Sequence, residues 1–127
     1  MTVALTSQPF PDLMGVEITA YGKGGVESRL LVRPDLCTAG QILHGGAIMA
    51  FADTLGARAA AMNLPEGAGT TTIESKTNFV RPAPMGTVVT GASAPIHIGR
   101  RSSVWQTRIT GQDGKLVAVV TQTQLVL

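Results

Sequence analysis

The chain has one cysteine, two histidines and few aromatic side chains, 4 % of 127 residues, and only 14 % of its residues are charged. Each scarcity excludes something. A lone Cys37 allows no intrachain disulfide and makes a reducing compartment the simpler expectation, with no catalytic part for the thiol. His44, His97 and Cys37 form no cluster at metal-ligand spacing, so no structural zinc or other metal is expected. Ten Lys and Arg against eight Asp and Glu give a net charge of +2. That balance argues against a general nucleic-acid binder, while a mildly basic surface suits a phosphate-bearing ligand. Long apolar runs are missing too. The opening MTVALTSQPF has no positive n-region, and the most apolar segment is broken by Asp53 and Arg58, so neither a leader nor a membrane span is expected and the protein should be soluble and cytoplasmic.

What is present is a 44 % hydrophobic content, which fits one globular domain over residues 1–127. Residues 9–14 read as a turn or helical lead-in. Residues 16–21 and 26–32 read as two strands around Gly22-Lys23-Gly24-Gly25, and 34–43 as a loop. A helix then runs from Gly45 to about Met62, stopped by Asn63-Leu64-Pro65-Glu66-Gly67. Strands are predicted over 70–80, 86–98, 103–110 and 115–127, the last two joined at Asp113-Gly114. A helix apolar all round must be enclosed, so the economical architecture is α+β, an antiparallel sheet curled around one central helix. Exposed sheet edges in so small a domain predict continuation into a second subunit.

The segment His44 to Arg58, HGGAIMAFADTLGAR, carries the chemistry. It sets Asp53 among Ala47, Ile48, Met49, Ala50, Phe51, Ala52, Leu55 and Ala57. A carboxylate withdrawn from water needs a partner or a neutral form, so this placement points to a role. The bland alternative, a core helix with Asp53 paired to Arg58, suffers from a spacing of five residues, since helical neighbours lie three or four apart. At the other end, His44-Gly45-Gly46 puts two residues without side chains where backbone N–H groups are unpaired and the helix dipole is positive, a place to hold an oxyanion.

The chain resembles the hotdog-fold acyl-CoA thioesterases of the phenylacetate-degradation type. The residues that carry the resemblance are Leu43-His44-Gly45-Gly46 opening the helix, Ala52-Asp53-Thr54 within it, Asn78-Phe79-Val80-Arg81-Pro82-Ala83 on the next strand, and Gly99-Arg100-Arg101 followed by Asp113-Gly114-Lys115-Leu116-Val117-Ala118. It implies a hotdog fold and hydrolysis of an acyl- or aryl-acyl-CoA without a cofactor, CoA being part of the substrate. The Gly45 amide would hold the thioester carbonyl oxygen, and Asp53 would be nucleophile or general base. His44 would sit beside the thioester. Acid and amide would come from different subunits of a homodimer or of a homotetramer built as a dimer of dimers.

The resemblance also implies a polar side chain early on the following strand. Counting back from Pro82 gives Thr72, while counting forward from Asp53 gives Thr71; for either threonine alone, β propensity explains as much. Six residues before His44, relatives carry an amide that shares the carbonyl oxygen, and here Thr38 stands in its place. Thr38 substitutes, Gln41 swings in, or the hole has one donor fewer, a loss that costs about 3 to 4 kcal/mol. Arg100 and Arg101 would meet the CoA phosphates, against a reading as two solvated loop charges. His97 and Trp105 read as structural, and Met49, Phe51 and Met62 fit either a substrate tunnel or core. Two rivals stand beside hydrolysis. A hydratase or dehydratase would need a His–acid proton pair, which the His44 to Asp53 spacing does not favour; a non-catalytic acyl-CoA binding module would release no thiol.

Overall fold

A computed structural model describes residues 8–127. Residues 1–7, most of the stretch from which the absence of a leader was argued, lie outside the described residues. The order is a short helix α1 (Pro9–Met14), strands β1 (Glu17–Gly22) and β2 (Gly25–Leu31), helix α2 (Gly45–Ala61), then β3 (Thr70–Phe79), β4 (Val88–Ile98), β5 (Ser102–Thr110) and β6 (Leu116–Val126). The loop expected at 34–43 contains one 3₁₀ turn, Pro34–Leu36. All pairings are antiparallel, in the order β1-β2-β4-β5-β6-β3. The last element thus lies between β5 and β3, and β3 becomes a ten-residue edge strand.

The sheet curls around α2, which packs against β2 through β6. Ile48, Phe51, Ala52, Leu55, Ala59 and Ala60 turn into a core completed by Val26, Leu30, Val89, Trp105, Ile109 and Val120. Each large side chain so buried contributes about 1.5–3 kcal/mol. Trp105 is fully buried, and its indole N–H donates to Ser103 Oγ at 2.8 Å, so its one polar atom is satisfied. Close approach of helix to sheet is set at Gly91, where an added Cβ would lie 3.1 Å from the Phe51 ring.

The expectation of an enclosed helix is corrected. Gly46, Met49 and Asp53 are exposed and Ala57 half-buried, a stripe at spacings of three and four along one face that the sheet leaves open. Alanine and glycine hide this face from hydropathy reasoning, because they are apolar without needing burial. His97, read as structural, is likewise exposed.

Candidate active site

The helix start is organised by its first residues. His44 is the N-cap, with φ −63° and ψ 139°, and its Nδ1 accepts the Gly46 N–H at 2.8 Å. The two amides expected to be unpaired are therefore one: Gly46 is satisfied by the imidazole, while the Gly45 N–H makes no hydrogen bond to any described residue. Both glycines sit in close quarters. A Cβ at 46 would sit 3.0 Å from His44 Nδ1, and one at 45 would sit 3.2 Å from the Phe79 ring. Gly45 opens into a cavity of about 450 Å³ that Thr38, Ile42, Ile48 and Phe79 also line. Thr38 is half-buried there, its Oγ1 accepting the Gly40 N–H at 3.1 Å, which leaves its own proton free to donate into the cavity. Gln41 lies outside this wall, exposed and in the left-handed region at φ 62°.

Asp53 stands about two turns further along the stripe. It is exposed rather than withdrawn from water, which corrects the argument from burial; what singles it out is its hydrogen bonding. Oδ1 accepts the Thr72 hydroxyl at 2.8 Å and the Gln122 Nε2–H at 3.1 Å. Thr72 Oγ1 accepts from Gln124 Nε2 at 2.6 Å, so its proton is directed at the carboxylate. Gln124 is oriented in turn by the Thr70 hydroxyl, which lies 3.0 Å from its Oε1. Thr72 is paired with Gln124 across the β3–β6 ladder, and Thr71 is exposed on the opposite face. Gln122 and Gln124, at 0 % and 1 % exposure, were missed in the sequence. The signal was their parity: Ala118, Val120, Gln122 and Gln124 form one inward row on β6.

Arg58 does not pair with Asp53. It is buried on the core side, where burial lowers its pKa against the opposing charge of Asp12 on α1. Arg100 and Arg101 are exposed on the β4–β5 turn, and the Arg101 carbonyl accepts the Val126 N–H at 2.9 Å. That bond sets the turn at the end of the sheet where β3 and the Thr70–Thr72 segment begin. Among the described residues no cluster of His, Cys, Asp and Glu could hold a metal, and no helix is long and apolar enough to cross a membrane.

One six-stranded antiparallel sheet packed around one long helix is the hotdog fold, and the proteins it resembles are thioester hydrolases. The thioesterase superfamily profile matches residues 40–118, and the chain belongs to that family. A crystallised thioesterase from Haemophilus influenzae superposes with a TM-score of 0.86 at 32 % identity, covering 92 % of this chain and 81 % of that one. The proofreading thioesterase EntH of Cronobacter turicensis is 30 % identical over 102 residues, 80 % of this chain and 74 % of its own. The PaaI protein from the phenylacetic acid degradation operon of E. coli has a TM-score of 0.89 but 22 % identity, covering 95 % and 86 % of the two chains, a likeness of fold.

Proposed function

We propose that the chain hydrolyses acyl- or aryl-acyl-CoA thioesters of the phenylacetate-degradation kind, with the Gly45 N–H as oxyanion donor and Asp53 as nucleophile or general base. The observation that carries this reading is the contrast along one helix: an amide without an acceptor at its positive end, and a carboxylate fixed by two donors on its open stripe. As a base, Asp53 takes a proton from water as the hydroxyl adds to the carbonyl carbon. The oxyanion rests on Gly45, and its collapse expels the CoA thiolate, which recovers the proton. As a nucleophile, Asp53 adds to the carbonyl carbon and the C–S bond breaks to expel the CoA thiolate, leaving an anhydride that water opens to the free acid and the Asp53 carboxylate, the proton released passing to the thiolate. Thr38 supports the oxyanion with its free proton, Thr72 orients Asp53, and His44, by capping Gly46, holds the imidazole beside the thioester.

Gly45 and Asp53 are eight residues apart, about 12 Å along the axis, whereas reacting atoms must approach to about 3–3.5 Å. One chain therefore cannot bring them to one carbonyl. A second copy related by a twofold axis, its helix antiparallel, completes the site. The ten-residue edge of β3, with Ile73 57 % and Phe79 57 % exposed, favours that pairing. A homodimer, or a homotetramer as a dimer of dimers, is the proposed assembly, in a reducing cytoplasm consistent with a lone Cys37. Arg100 and Arg101, at the Asp53 end, are proposed to meet the CoA phosphates. The reaction needs no cofactor. The test is thiol release from a panel of acyl-CoAs: hydrolysis frees CoA-SH, while a hydratase or a binding module leaves the thioester intact.

A further inference from the structure

Gln122 is a poor core residue for its own sake. It is fully buried on β6, and its Oε1 has no hydrogen-bond partner among the described residues. A buried acceptor left unmet costs stability, so a methionine of the same length would pack there at less expense. The helix also gives way to the amide. At Gly56 of α2 a Cβ would collide with the Gln122 carboxamide, with Nε2 only 2.8 Å away, so both elements are shaped to seat this side chain. Its one satisfied atom, Nε2, donates to Asp53 Oδ1. The Thr72 hydroxyl, aligned by Gln124, converges on the same oxygen, and Oδ2 accepts no hydrogen bond among the described residues.

We propose that Gln122 is a positioning residue for the reaction: its amide and the Thr72 hydroxyl occupy Oδ1 of Asp53 and so present Oδ2 as the reacting oxygen, with Gly56 present to admit the amide. This inference rests on Asp53 being the catalytic acid group. A carboxylate pinned at one oxygen cannot rotate, and its free oxygen keeps one direction; positioning of this kind acts on kcat and leaves the remote CoA handle alone.

The test uses the full-length protein with benzoyl-CoA and hexanoyl-CoA, reading thiol release and thermal melting for Asp53→Asn, Gln122→Met, Gln122→Glu, Gly56→Ala and Gln122→Ala with and without Gly56→Ala. Gln122→Met is expected to lower kcat by about ten- to a hundredfold with KM within about twofold, the scale of one hydrogen bond to a charged group. Its melting temperature should hold or rise, because the unmet acceptor is gone. Gln122→Glu, isosteric but facing Asp53 with oxygen, should lose at least as much. Gly56→Ala should reproduce the kcat loss from a position that does not touch Asp53. In the Gln122→Ala background the same change should cost little more, since no amide remains to displace. A purely structural Gln122 would give the opposite, a lower melting temperature with kcat intact. If Asp53→Asn is inactive while Gln122→Met and Gln122→Glu turn over like the wild type, this inference falls and the proposed function stands. If Asp53→Asn is active, the proposed function itself falls.

Discussion

The start of α2 at Gly45 and its open face at Asp53 differ in kind. At Asp53 a carboxylate meets two donors at one oxygen, Thr72 and the buried Gln122, with the buried Gln124 and then Thr70 behind Thr72. At Gly45 a donor meets no acceptor among the described residues and looks into a largely apolar cavity whose polar side chains are Thr38 and Arg81. In the proposed mechanism the difference follows from when each charge exists. Asp53 carries its charge before substrate arrives and has to be held throughout, whereas an oxyanion exists only at the transition state, so its donor has to wait unpaired. The acid end is thus finished within one chain, and the amide end is finished by what binds to it.

Removing the charge breaks the comparison most severely. Asp53→Asn keeps the side-chain shape and the Thr72 contact, and is expected to lower kcat by about a hundred- to ten-thousandfold, the usual contribution of a positioned acid–base group. Because Asp53 is exposed, the melting curve should barely move. Near-normal turnover by the folded variant would eliminate the mechanism.

The amide end is tested by deleting the N–H alone. Gly45→Pro does so at the first helical position, where proline is tolerated, and His44 already has the extended geometry that a residue before proline prefers. A fall in kcat of about a hundred- to a thousandfold is expected for one lost oxyanion donor. The added ring atoms press on Phe79, so the change is made with and without Phe79→Ala; a loss that Phe79→Ala cures would be steric and would remove Gly45 from the chemistry.

Mixing sharpens the comparison, because each variant leaves the opposite end intact. Asp53→Asn and Gly45→Pro chains, unfolded together and refolded, should regain about a quarter of wild-type activity: half of the dimers are mixed, and each of these has one of its two sites complete. A mixture as inactive as its components would mean that each chain builds its own site.

Most of this was legible in the sequence, for reasons that separate the two ends. The order of two strands, one helix and four strands follows from Gly and Pro punctuation and from alternation. Asp53 and Gly45 stand out because a polar or a side-chain-free residue interrupts an apolar pattern, whereas Thr72, one of three consecutive threonines, is reached only by counting along the motif of the resembled family, which also offers Thr71. Gln122 and Gln124 escaped because glutamine on a strand reads as outward-facing, and only their parity with Ala118 and Val120 shows otherwise. The open stripe escaped because Gly46 and Ala57 look as apolar as Ala59 and Ala60. The loss of the Gly46 amide to His44 escaped because a cap depends on ring orientation, which spacing does not specify.

A smaller effect is expected at the β4–β5 turn. Replacing Arg100 and Arg101 together by Ala should raise KM for acyl-CoA by about two- to tenfold with kcat nearly constant, since contacts to a remote handle are uniform binding. A short thioester without the nucleotide should show no change, and added salt should weaken wild-type binding in the same way. Equal losses on both substrates would assign the turn a structural role.

The smallest expected effect concerns what the Gly45 end leans on. Arg33 donates to the Met14 and Leu13 carbonyls, at 3.0 and 2.9 Å, and to Asp35 at 3.0 Å, clamping the end of α1 to the loop before α2. Helix α1, this loop, His44 and Gly46 together line a cavity of about 390 Å³. The Arg33 hydrogen bond is the main cause that holds the Asp35 carboxyl below its ordinary value of 3.8. A carboxyl whose folded pKa is lowered stabilises fully above the unfolded value and loses that stabilisation as pH falls through the folded one. Asp35→Asn should therefore lower the melting temperature slightly at neutral pH, and the difference from wild type should close well below pH 3.8. Because the pair is exposed, the change should register chiefly as faster hydrogen exchange at Gly15 and Val16, whose amides bond Pro11. The buried Gln122 and Gln124 network should exchange as before. Equal loosening at both ends of the helix would show that the amide end and the acid end are not independent.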